Sequence, residues 1–146
     1  MSKVLLKAQN IKKYFPIKSG LFKKTVAQVK AVDDVTLTVT KGKTLGLVGE
    51  SGCGKSTLGR TLIRLYEPTS GEIEFQGHDF LSLKGKALRK ERKHIQMIFQ
   101  DPYAALDSRQ TIGQILMEPF VIHGLLTPKE REEKAKELMN LVGLKS

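Results

Sequence analysis

Gly49-Glu50-Ser51-Gly52-Cys53-Gly54-Lys55-Ser56-Thr57 is the stretch on which the fold turns. Its first eight residues satisfy the spacing G-x-x-x-x-G-K-[ST], and each residue type has a task in holding a polyphosphate. Glycines let successive backbone N–H groups point at one oxyanion. A helix that begins there adds the positive end of its dipole. Lys55 sets a compact cation against the outer phosphates. The Ser56 hydroxyl can ligate Mg²⁺. The octapeptide also occurs in unrelated chains, so its flanks decide the reading.

On the N-terminal side, Thr44-Leu45-Gly46-Leu47-Val48 is a short apolar run, which predicts a strand buried on both faces. On the C-terminal side, Leu58, Leu62 and Leu65 fall at helical spacing. They predict a helix over residues 55–66, ended by Pro68. Strand, glycine loop and helix in that order are the setting of a P-loop. Gly49, Glu50, Ser51, Gly52, Cys53, Gly54, Lys55, Ser56 and Thr57 are therefore read as binding ATP, with Mg²⁺ at Ser56. Cys53, the only cysteine, is read as a tolerated loop residue open to alkylation, and it excludes an intramolecular disulfide framework.

Further out, residues 3–9 mix apolar and polar positions and predict a first strand. Residues 16–30, with Gly20 and several lysines, read as a loop or hairpin extension. Val35, Leu37 and Val39 alternate with Thr36, Thr38 and Thr40, the period of a half-buried strand. Ile73 and Phe75 alternate with Glu72 and Glu74 in a second such strand, closed by Gly77. Residues 84–94 form a basic, helical stretch, and residues 95–99 are an apolar run that predicts another strand. Beyond residues 101–111 the pattern turns helical. Ile112, Ile115 and Leu116 predict a helix limited by Pro119. Thr127-Pro128-Lys129-Glu130 is a capping box with proline at the first helical position. Ala135, Leu138, Met139 and Val142 continue that helix, and Gly143 supplies its stop.

The 146 residues suffice for one domain with a core. No apolar run approaches the roughly 20 residues of a membrane-spanning helix, and the N-terminal residues lack the apolar stretch of a secretory signal. A cytosolic location is expected. The net charge of +10 comes from lysines concentrated at residues 12–30 and 84–94, with few aromatics among them. It is read as a solvated basic face on a protein that handles a polyanionic nucleotide. A nucleic-acid-associated P-loop protein is the second reading, and an inactive remnant the third.

Several segments resemble a known family. Residues 44–57 followed by Leu58-Gly59-Arg60 are similar to the ATPase subunits of ABC transporters. Pro68-Thr69-Ser70-Gly71-Glu72-Ile73 follows the first helix at the distance that family uses. Ile98-Phe99-Gln100-Asp101-Pro102-Tyr103 resembles the Q-loop of oligopeptide and dipeptide importers. Lys13-Tyr14-Phe15-Pro16-Ile17, with its basic insertion, resembles the same subfamily, and within it the second of the two paired ATPase subunits. The resemblance covers essentially the whole chain. Two positions depart from it: Asp107-Ser108-Arg109 stands where Asn-Pro usually precedes the arginine, and Lys43 where an acidic residue is common.

The resemblance implies an α/β P-loop NTPase of the ABC type. An N-terminal antiparallel β part and P-loop core strands make up an ATP-binding core, residues 1–100. Residues 101–146 begin a helical subdomain. It implies catalytic roles for Lys55 and Gln100, with Gln100 contacting Mg²⁺ or the attacking water. An aromatic near the N-terminus would stack on adenine, and Phe15 fits the family spacing better than its neighbour Tyr14. The implied partners are a sister ATPase subunit and transmembrane permease subunits, on the inner face of the cell membrane, with no direct contact to the transported peptide and no nucleic acid.

Hydrolysis in that family also needs an apolar strand ending in Asp-Glu, a Ser-Gly-Gly-Gln signature and a switch histidine. Ser-Gly occurs at residues 19–20, 51–52 and 70–71, and none is followed by Gly-Gln. His78, His94 and His123 read as surface or hydrogen-bonded residues. The expectation is a truncated cassette that binds ATP more readily than it hydrolyses it and is marginally stable alone. Residues 95–101 could be misread as an acidic strand end in which Asp101 holds Mg²⁺, but Gln100 and Pro102-Tyr103 fit a Q-loop better.

Overall fold

The computed structural model describes residues 3–19 and 24–144. They fall into two units, Met1–Leu88 and Arg89–Ser146.

The first unit is built on a long antiparallel hairpin. Strand β1 (Val4–Ser19) pairs with β2 (Lys24–Thr40) from Val4↔Thr40 to Ser19↔Lys24. The first strand is thus longer than its apolar pattern predicts, and of the stretch read as a loop or hairpin extension, residues 16–19 and 24–30 are paired strand. Gly20 lies outside the described residues. The Val35, Leu37, Val39 face is half-buried, while Thr36 and Thr38 face solvent. Bulges interrupt the ladder between Ala8 and Ile11. There Asn10 and Asp34 take left-handed backbone angles, and the Asn10 amide donates to the Asp34 carboxylate at 3.0 Å. Strand β3 (Ser70–Phe75) adds antiparallel to the other edge of β1, followed by the short β4 (His78–Asp79), giving the order β2-β1-β3-β4. Helix α1 (Lys55–Leu62) lies against β1 and β2. Leu6, Ala8, Ile11, Val32, Leu58, Leu62, Ile73, Phe75 and Phe80 form the buried apolar set.

Two expectations fail in this unit. Residues 44–48 form no strand: they join no ladder among the described residues, Leu45 and Leu47 are 46% and 44% exposed, and Val48 is 98% exposed. An apolar run becomes a doubly buried strand only when neighbours on both sides offer N–H and C=O partners. Here the edges of β1 are taken by β2 and β3. Helix α1 also ends at Leu62, four residues before the predicted Tyr66. Arg64 takes φ 55°, with Leu65 N–H donating to Arg60 O at 2.8 Å and Arg64 N–H to Thr61 O at 3.0 Å. This is a Schellman stop with arginine where glycine is usual. The buried Arg64 guanidinium donates to the carbonyls of Phe80 (2.5 Å) and Leu83 (2.9 Å) and pairs with Glu67. These tertiary contacts hold the left-handed turn in place of helix propensity.

Helix α2 (Gly85–Arg92) is the predicted basic helix. Residues 95–99, predicted as a strand, have no ladder partner among the described residues, and Ile98 is 96% exposed. In the second unit a short helix α3 (Pro102–Ala105) precedes α4 (Ile112–Ile122) and α5 (Pro128–Leu141), which pack on each other. Pro119 does not limit α4: the helix runs through it to Ile122. Proline forfeits one internal bond. Around it, a capping box between Thr111 and Gln114 fixes the start of the helix, and His123 N–H still donates to Pro119 O at 3.1 Å. The predicted box at Thr127 and Glu130 caps α5, and Gly143, at φ 76°, closes it.

Candidate functional site

Gly54 ties the glycine loop to the hairpin. Gly54, the N-cap of α1, has φ 93° and ψ 1°, a left-handed conformation that side chains disfavour. A Cβ there would overlap the carbonyl oxygen of Ala31 in β2. Only glycine lets the helix start this close to the strand.

The first turn of an α-helix has N–H groups with no intrahelical acceptor. In α4 and α5 a threonine cap and its capping-box partner answer them. In α1 no side chain caps the turn and no acidic residue lies in it. The earliest helical bond is Leu58 N–H to Gly54 O at 2.8 Å. Beside this open end the Lys55 ammonium is drawn over the loop, 2.7 Å from Gly49 O, 2.6 Å from Glu50 O and 3.4 Å from Cys53 Sγ. Cys53 N–H donates to Glu50 O at 3.3 Å, closing the turn. Gly49, Glu50, Ser51, Gly52, Cys53 and Ser56 are exposed, whereas Gly54, Lys55 and Thr57 are half-buried. The structure therefore brings all nine predicted loop residues to one helix end. Its donors are uncapped N–H groups, one ammonium and the hydroxyls of Ser56 and Thr57. That set suits a polyphosphate.

Phe15 and Tyr14 occupy opposite faces of β1, as neighbours in a strand do. The Tyr14 hydroxyl donates to the Asp33 carboxylate, which Lys30 also approaches at 3.4 Å. The Tyr14 bond, with help from Lys30, holds the Asp33 carboxyl below its ordinary range, and the same bond raises the Tyr14 phenol. Tyr14 is thus committed to its own network. Phe15 is half-buried, with its ring 5.5 Å from that of Tyr66 at 88°. The Lys13 ammonium lies 4.9 Å from the centre of the Phe15 ring.

Gln100 belongs to the second unit, where it is exposed at a bend. The neighbouring Asp101 carboxylate accepts the Tyr103 N–H at 3.0 Å, at the start of α3. The unpaired run before it removes the strand from which Asp101 would read as an acidic strand end. No cluster of three or more His, Cys, Asp or Glu that could hold a metal occurs among the described residues.

Sequence reasoning did not find Lys13, Tyr66 or Arg64, since no local pattern marks a residue that acts across the fold. It treated Asp107-Ser108-Arg109 only as a departure. The structure closes that stretch with a forked ion pair, Arg109 to Asp107 at 2.9 and 3.0 Å, which lowers the Asp107 pKa.

The family model described as ABC transporter matches residues 32–146. The oligopeptide transport ATP-binding protein AppF of Bacillus subtilis (strain 168) is 56% identical over 141 residues, 96% of this chain and 43% of that protein. The dipeptide transport ATP-binding protein DppF of Haemophilus influenzae is 51% identical over 142 residues, 97% of this chain and 43% of that protein. The chain spans less than half the length of these curated relatives. Among solved structures, the dimeric post-hydrolysis state of the ATP-binding cassette MJ0796 bound to ADP and Pi matches with a TM-score of 0.74 at 24% identity, over 97% of this chain and 58% of that one. That last likeness is one of fold.

Proposed function

The chain belongs to the ABC transporter family, and we propose that it is the ATP-binding part of an importer subunit for di- or oligopeptides. Its fold is that of the ATP-binding cassettes, as the sequence predicts. The names of its relatives support the solute class. One observation carries the nucleotide reading: unlike α4 and α5, whose first turns are closed by capping boxes, α1 leaves its first turn without a side-chain cap, with Lys55 folded over it.

The mechanism follows from the donors. The N–H groups of the loop and first turn receive the β- and γ-phosphate oxygens. Lys55 exchanges its soft Cys53 contact for a phosphate oxygen while keeping its two carbonyls, so the cation is positioned before the ligand arrives. The Ser56 hydroxyl would hold Mg²⁺, and the role of Gln100 rests on the resemblance of residues 98–103 to a Q-loop. Phe15 stacks on the base. ATP, when bound, supplies the phosphoryl group whose hydrolysis energises transport. Residues 1–100 serve as the ATP-binding core and residues 101–146 as the start of a helical subdomain. The partners are a sister ATPase subunit and the permease subunits at the cytoplasmic face of the membrane. Among the described residues no helix is long and apolar enough to cross that membrane.

Backbone NMR with ATP–Mg²⁺ tests the site. The amides of residues 49–57 should shift first and most. Shifts confined to other residues would refute the assignment.

A further inference from the structure

Three residues that the loop does not include converge beside Phe15. Tyr66 meets the Phe15 ring edge to face. Lys13 lies 4.9 Å from the Phe15 ring centre and 5.9 Å from that of Tyr66. Arg60, from the last turn of α1, lies 5.9 Å from the Tyr66 ring, with Nη1 3.4 Å from the Tyr66 hydroxyl oxygen. The segment carrying Tyr66 is bound to β1 three times. Lys13 Nζ donates to Glu67 O at 2.8 Å, Thr69 N–H to Lys12 O at 2.7 Å, and Tyr14 N–H to Thr69 Oγ1 at 2.9 Å.

This cluster is more elaborate than packing requires, because Phe15 and Tyr66 are only half-buried. It also sits next to the loop. Gly54 abuts Ala31, and the residues on either side of Ala31, Lys30 and Val32, pair with Tyr14 and Lys13. The geometry points to Tyr66 as a positioning residue for base recognition: with Lys13 it fixes the plane of the Phe15 ring, so that a purine on a triphosphate held at α1 meets a preset stacking face. An edge-to-face partner restricts the tilt of the ring. A cation near the ring draws its π density and reinforces that restraint. The inference rests on the nucleotide reading above and on Phe15 as the stacking aromatic.

The test compares ATP with inorganic tripolyphosphate, both with Mg²⁺, on the intact 146-residue chain. Tyr66→Leu should weaken ATP about fivefold, the worth of an aromatic pair, and leave tripolyphosphate unchanged. Tyr66→Phe should preserve both affinities, since the ring contact remains. Lys13→Met should reproduce the selective loss of ATP, and it decides the matter if Tyr66→Leu does not fold. Parallel weakening of both ligands, or an unchanged ATP affinity in Lys13→Met and Tyr66→Leu, overturns the inference. If the unmodified chain does not bind tripolyphosphate, the phosphate site itself fails. If it binds tripolyphosphate and ATP equally, the phosphate site stands and base recognition fails.

Discussion

Gly54 backs onto the carbonyl oxygen of Ala31 so closely that no side-chain carbon fits between them. The contact joins the glycine loop to the hairpin and sets where α1 begins. Gly54→Ala should therefore cost the left-handed penalty of about 1–2 kcal/mol and the overlap with Ala31 as well. Gly52→Ala, at φ 81° with nothing within 4 Å of the new carbon, should cost the conformational penalty alone. Urea unfolding of the two variants should rank Gly54→Ala as clearly the less stable. Equal midpoints would mean that the loop does not rest on β2.

Arg64 replaces the expected helix with a turn, through its donations to Phe80 O and Leu83 O. Removing a charged donor from such carbonyls costs about 1.5–3 kcal/mol. Arg64→Ala should lose that amount and retain an unfavourable φ. Arg64→Gly loses the same bonds but suits the left-handed angle, so it should be the milder change by up to about 1 kcal/mol. The reverse order in urea midpoints would contradict this account of the turn.

These two contacts show where sequence legibility ends. The candidate phosphate loop was readable as a candidate because its glycines, lysine and hydroxyl stand within nine neighbouring residues. The half-buried face of β2, the buried face of β3 and the box at Thr127 and Glu130 were readable for the same local reason. The runs at residues 44–48 and 95–99 were not, because apolarity shows that a segment needs cover but not which backbone pairs with it. The end of α1 depended on carbonyls 16 and 19 residues downstream of Arg64. The pairing of Phe15 with Tyr66 joins residues separated by a helix and a strand, and nothing in either local pattern announces it.

Glu130 accepts the Thr127 N–H and hydroxyl, each at 2.7 Å. The backbone bond first, then the hydroxyl, lowers its pKa from the ordinary 4.5. A carboxylate lowered in the folded state stabilises it at pH above that ordinary value, and the benefit is lost as pH falls through the lowered one. The first turn of α5 should thus fray on acidification, seen as upfield movement of the Thr127 amide toward its random-coil shift. Glu130→Gln, which can still accept the bond, should flatten that dependence. An unchanged pH profile in the Gln variant would show that Glu130 is not the titrating group.

The proposed site would hold a triphosphate through loop N–H groups and Lys55, whereas transition-state charge in this chemistry is met by groups beyond one loop. Phosphate release from ATP–Mg²⁺ by this chain should match that of Lys55→Ala. A rate clearly above that control would show that the chain contains a hydrolytic group not identified above.

The central claim is that residues 49–57 form a phosphate site governed by Lys55. It is tested most directly by equilibrium binding of a fluorescent ATP analogue with Mg²⁺, comparing the chain with Lys55→Ala. Saturable binding that weakens about tenfold or more in the variant is the predicted result, the loss expected for a charge-assisted bond. Equal affinity of the two proteins, or no binding by a chain whose circular dichroism shows it folded, would contradict the account.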